Sequence, residues 1–243
     1  MSRYCARDYL CTCILFFLCL KTSAVFGDET IVVGRAYDKD EGVLIYNEVH
    51  SCSADRGLCA VDFYDIAGEM IASKTLDYGS GPFRPSLVMT DYRREKEWRL
   101  DAPVGDTVVV DAGFDNYVRS RWDALASGGV VQFDFLVPGR DAAIAMRARR
   151  DDVNSCDDGN FCVLVGLDSW LLAGFIDPIR LSYSSDTREL LSYDGPGNLA
   201  SGDGSTPQVV IHYERPGSRG KIFSGAELKE LDWSGLVKDE GAQ

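Results

Sequence analysis

Histidine is almost missing from this chain. Only two occur in 243 residues, His50 and His212, and both stand among apolar neighbours in strand-like runs, where an imidazole is more often structural than a base or a ligand. The HExxH, GxSxG and CxxC patterns are missing too, so the usual zinc-hydrolase, serine-hydrolase and thiol-redox chemistries have no anchor. No apolar run approaches the ~20 residues of a membrane-spanning helix. Positive charge is in deficit: 25 Lys and Arg face 38 Asp and Glu, a formal net charge of −13. That balance works against a nucleic-acid partner or an anionic membrane surface. The one basic cluster, Arg147, Arg149 and Arg150, is followed at once by Asp151 and Asp152 and reads as a solvated strand end. The stretch from Gly217 to Lys221 has the look of a phosphate loop, but Ile222 stands where a magnesium-binding Ser or Thr belongs. Asp38, Asp40 and Gly42, and again Asp152, Asn154, Asp157 and Asp158, lack the sixth-position glycine and distal glutamate of a calcium loop. They read as acidic turns, and no metal or cofactor is expected.

What the chain does have begins with an export signal. Arg3 and Arg7 precede the apolar run of residues 9–20, and a polar, small-residue exit follows to Gly27. Twelve residues make about 18 Å of helix against roughly 30 Å of hydrocarbon, so a signal peptide over residues 1–27 fits better than a membrane span. Without Arg3, Arg7, Lys21 and Asp8 the counts become 22 basic and 37 acidic residues, a net charge of −15. An exported, periplasmic protein is expected.

Four cysteines remain beyond the signal: Cys52, Cys59, Cys156 and Cys162. Three pairings are conceivable. Spacing favours Cys52–Cys59 and Cys156–Cys162, each closing a small polar loop between strand-like runs, and disulfides agree with an exported protein. A four-cysteine zinc site is the alternative, but neither pair has the ligand spacing such sites favour.

From residue 28 onward short alternating runs recur, most of them joined by hairpin-length turns rich in Asp and Gly. About twelve strands are predicted by this pattern. One segment breaks the alternation. Phe114, Tyr117, Val118, Trp122 and Leu125 fall on one helical face, and Gly128 or Gly129 can supply the left-handed residue that ends it. The predicted architecture is therefore α+β: a large curved antiparallel sheet, half-barrel-like, wrapped around one main helix over 113–127. Residues 28–243 are expected to form a single domain, with a short C-terminal helix over 225–231 opened by the Ser224–Glu227 capping box. Residues 79–86 and 195–207 read as loops, the second of them long and flexible.

The functional signal is aromatic. Phe114, Trp122, Phe133, Phe135, Trp170, Phe175 and Tyr183 can wall an apolar space between helix and sheet, because a strongly curved sheet over one helix can leave room for a ligand. A filled core is the alternative. The segments GFDNYVRSRWDALASGGVVQFDFLVPGR and DPIRLSYSSDTRELLSYDGPGNL resemble a family of uncharacterised exported proteobacterial proteins. The second segment also resembles, more loosely, periplasmic half-barrels of the lipoprotein-carrier type. That resemblance implies a curved sheet that holds acyl chains, and it carries over no functional residue. A non-enzymatic binding or carrier-like role for a lipid or other apolar ligand is the leading expectation. The alternative is an interaction module of the cell envelope, with a filled core and an envelope protein as partner.

Overall fold

A computed structural model of the protein describes residues 30–101, 108–140, 142–151, 156, 159–169 and 177–215. The expected signal peptide (1–27) and C-terminal helix (225–231) lie outside the described residues, as do Trp170 and Phe175. The described chain forms thirteen strands in one sheet. Those of the first half are β1 (Thr30–Asp38), β2 (Leu44–Cys52), β3 (Leu58–Tyr64), β4 (Met70–Asp77), β5 (Ser86–Asp91) and β6 (Lys96–Leu100). Next come β7 (Val108–Val110), the helices α1 (Gly113–Ser120) and α2 (Trp122–Ala126), and β8 (Val130–Leu136). The chain continues through β9 (Ile144–Arg150), β10 (Asn160–Leu167), β11 (Ile179–Ser184), β12 (Leu190–Pro196) and β13 (Gln208–Glu214).

Their spatial order is β6-β5-β4-β3-β2-β1-β13-β12-β11-β10-β9-β8-β7, so two meanders meet where β1 pairs with β13. Each hairpin follows from local chemistry. Asp38 Oδ1 accepts from the amides of Asp40 and Glu41, and Asp65 Oδ1 from those of Ala67 and Glu69, all at 2.9 Å. Gly42 and Gly68 close these turns at φ +66° and +82°, a conformation that a side chain disfavours. Asp38 is thus consumed as a turn residue, in keeping with the acidic-turn reading. Every pairing is antiparallel except β7 with β8, which are parallel because the helical pair carries the chain across between them.

The 113–127 stretch forms two successive helices. At its break Ser120 Oγ donates to the Tyr117 carbonyl at 2.6 Å, and the Arg121 amide closes back three residues onto Val118. A serine that takes an i−3 carbonyl competes with the helical ladder. Gly128, at φ +84°, then ends α2, with the Gly129 amide bonded to the Ala124 carbonyl.

The register puts one face of the sheet inward along its whole length. Val32, His50, Val61, Lys74, Met89 and Trp98 are successive cross-strand partners from β1 to β6. Two core clusters result. The first joins β1–β6 and β13 around Tyr46, Phe63, Leu76, Leu87 and Ile211. The second seats the helices on β8–β11 through Trp122, Leu125, Phe133, Phe161 and Leu181. Tyr193 packs against both. The sheet also curls far enough for its remote parts to touch: a Cβ on Gly139, in the β8–β9 turn, would lie 2.9 Å from the Trp98 indole of β6. Both disulfides form as spacing predicts, and Cys52 and Cys59 are direct cross-strand partners.

Candidate binding site: the concave cavity

Between the two core clusters the concave side is not filled. A cavity of ≈ 1000 Å³ remains, at the upper end of what small-molecule sites offer. Phe63, Leu76 and Met89 wall it from the first meander, and Met146, Val165 and Leu181 from the second. These are the inward members of alternating strands, so the cavity wall is a direct product of the period-two pattern.

The structure divides the predicted aromatic set. Phe114, Phe135 and Tyr183 line the cavity. Trp122 and Phe133 do not. Trp122 stacks on Phe161 at 4.3 Å and meets the edge of Tyr183 at 5.9 Å, with the Arg188 guanidinium 5.1 Å above it. Phe133 packs between Phe114 and Tyr117, at 5.8 and 5.0 Å. Both rings sit in the second core cluster, where they hold the helices on the sheet.

The two loops are also placed. Residues 79–85 dock on the start of α1: the Phe83 carbonyl accepts from the Val110 amide at 2.9 Å, Asn116 Nδ2 donates to the Pro82 carbonyl at 3.0 Å, and Phe83 meets Tyr117 edge-on at 5.4 Å. Gly113 permits this approach, since a Cβ there would stand 2.4 Å from the Phe83 oxygen. The β12–β13 loop, expected as a flexible excursion, turns inward. Leu199 is 2 % exposed in the first core cluster, and Asn198 reaches Glu48. Burying one leucine and satisfying one buried carboxylate outweighs the freedom that its glycines would otherwise give the loop.

Sequence patterning overlooked a set of polar groups inside this apolar wall. Lys74, 5 % exposed, extends Nζ to Asp111 Oδ2 at 2.8 Å and ties β4 to the β7–α1 junction. Asp111 holds the left-handed φ of +39°, which aspartate tolerates better than most residues. Glu48 is fully buried, accepting from Asn198 Nδ2 at 2.8 Å and facing His50 Nε2 at 2.9 Å. Burial alone would raise its pKa, but the hydrogen bonds from His50 and Asn198 and the nearby Lys74 charge hold it below the usual carboxylate value. Burial pushes the phenols of Tyr46, Tyr183, Tyr193 and Tyr213 up, with neighbouring carboxylates adding to it, so they remain neutral donors. On α1, Arg119 Nη2 bonds Asp115 Oδ2 at 2.7 Å and Asn116 Oδ1 at 2.8 Å. The legible signal was a charged residue at an inward strand position, such as Lys74 between Ala72 and Leu76, or Glu48 between Tyr46 and His50. Among the described residues no group of three or more His, Cys, Asp or Glu stands ready to hold a metal ion, and no helix is long and apolar enough to cross a membrane.

No protein-family model matches the chain, and no curated protein does. Among solved structures it is similar to a LolA superfamily protein from Nitrosomonas europaea, at 13 % identity and a TM-score of 0.25, over 82 % of this chain and 88 % of that one.

Proposed function

We propose that this is a periplasmic binding or carrier protein that takes the apolar chain of a lipid-like ligand between its curved sheet and α1. One observation carries the proposal: the concave face, hydrophobic along both meanders, encloses ≈ 1000 Å³ where a binding-inert sandwich would close on itself. Two further features support it. Pro82 of the first long loop and Asn198, Leu199 and Ala200 of the β12–β13 loop contribute to the walls of that space, while residues 202–206 stay exposed. The two disulfides suit an oxidising compartment such as the periplasm.

Native mass spectrometry of the oxidised protein, purified from envelopes without detergent, tests this. An adduct of lipid mass that is lost on denaturation is the expected result. A bare chain that also takes up no apolar fluorescent dye refutes it, and moves the weight to the interaction module.

A further inference from the structure

One wall of the cavity is a strap held in place by a handful of side chains. After their last rung, Pro196 with Gln208, β12 and β13 are joined by residues 197–207. This loop does not stay at its own end of the sheet. Arg93 Nη2, from the β5–β6 turn, donates to its Ala200 carbonyl at 2.6 Å, and a Cβ on Gly204 would lie 3.3 Å from Arg94 Nη2. Four strands, β1 to β4, separate β13 from β5 in the sheet. A loop that leaves one and touches the turn after the other has to cross the concave opening. Its two halves differ accordingly. Asn198, Leu199 and Ala200 line the cavity, whereas residues 202–206 are exposed.

The strap keeps its own shape at the tip and borrows its position from the first meander. At the tip the Ser201 amide donates to the Ser205 carbonyl at 2.8 Å, and the Gly204 amide to the Ser201 carbonyl at 2.9 Å. Asp203 Oδ1 accepts from the Ser205 amide and hydroxyl at 2.9 and 2.7 Å. At the base the Gly197 amide donates to the Pro207 carbonyl at 2.8 Å, continuing the β12–β13 pairing. Between base and tip, Asn198 donates through its amide to the Tyr46 hydroxyl at 3.1 Å and through Nδ2 to Glu48 at 2.8 Å. Leu199 sits in the first core cluster, and Arg93 supplies the remaining tie. Arg93 is itself placed by Asp91, 1 % exposed, whose two oxygens accept from Nε and Nη2 at 3.4 Å each. A few hydrogen bonds and one leucine are far less than the ladders that hold the rest of the sheet, so the strap can open without unfolding the protein. We infer that residues 197–206 are a gate: Arg93 latches the strap across the cavity's end, Leu199 anchors it, and release of both lets an apolar chain pass there. This rests on the cavity reading of the preceding subsection and adds the route in and out.

Stopped-flow binding of N-phenyl-1-naphthylamine, an uncharged apolar dye, to the oxidised protein tests the gate at two residues that do not line the cavity, Arg93 and Gly202. Arg93→Lys keeps a cation for Asp91 but loses the fork that also reaches Ala200. It is expected to raise the association and dissociation rate constants together by about fivefold. Gly202→Ala adds a methyl that meets nothing within 4 Å and reduces the freedom of the open strap, so both constants should fall together by about twofold. In both variants the equilibrium constant should stay within about twofold of wild type, because a gate changes the path and not the bound state. Unchanged rates in both variants, or a change confined to one of the two constants, overturn the gate and leave the strap a fixed wall of a working cavity. Circular dichroism checks each fold; if Arg93→Lys fails to fold, Gly202→Ala decides alone, unchanged rates again overturning the gate. If the dye does not bind the wild type, the cavity reading fails and takes the gate with it.

Discussion

Lys74→Met is the most informative perturbation of this fold, because the Lys74–Asp111 pair joins the first meander to the element that carries the helices. At 2.8 Å and an effective dielectric of about 20, the attraction between two unit charges is about 6 kcal/mol. Desolvation offsets much of it: the side chains are only 6 % and 14 % exposed, and each buried ion costs several kcal/mol. The net worth of the pair is therefore small, but removing one member strands the other. Methionine keeps the length of the lysine stem over the Phe63 ring, 6.0 Å from Nζ, and fills its volume. Asp111 is left charged, without its cation and held at a left-handed φ. We expect a loss of about 3 kcal/mol, the low end for a broken buried pair because Asp111 borders the cavity. Adding Asp111→Asn neutralises the stranded group and still tolerates that φ, so the double variant should return to within about 1 kcal/mol of the wild type. Urea unfolding followed by circular dichroism, with disulfides intact and m-values compared, measures all three. A Lys74→Met loss below about 1 kcal/mol, or a double variant as unstable as the sum of the singles, refutes the reasoning.

Three other outcomes follow from the same structure. Because the folded Glu48 pKa lies below the ordinary value of 4.5, its carboxylate stabilises the fold at neutral pH, and that contribution is lost as pH falls from about 4.5 through the folded value; Glu48→Gln should lower Tm at pH 7, and the gap from wild type should narrow below pH 4.5. Gly113→Ala drives a Cβ to 2.4 Å from the Phe83 oxygen and should cost about 1–3 kcal/mol, with faster proteolytic cleavage in residues 79–85 than in the wild type. Cys52→Ser with Cys59→Ser opens a loop with a sequence separation of 7 and should cost about 2.5 kcal/mol in urea, whereas an unchanged midpoint would mean that the β2–β3 pairing holds the turn unaided.

Local rules carried much of this protein. Alternation in the strands, Asp and Gly at the turns and close cysteine spacing each act over fewer than about ten residues, which is why both disulfides and nearly all strand positions were legible. The α+β architecture of a curved sheet on a helical element follows from the same patterns. The features that decide function lie farther apart. Pairing of β1 with β13 joins residues at opposite ends of the described chain, and no local pattern encodes it. Lys74 and Asp111 are separated by 37 residues, and Asn198 and Glu48 by 150, so an inward lysine or glutamate announced a buried charge without naming its partner. The helical stripe correctly marked Trp122 as inward-facing. Only the packing of α2 on β10 and β11 decided that it meets Phe161 and Tyr183 in a filled region, while Phe114, one helix earlier, borders the open one. Periodicity determines which way a side chain points; the curvature of the whole sheet determines what it meets there.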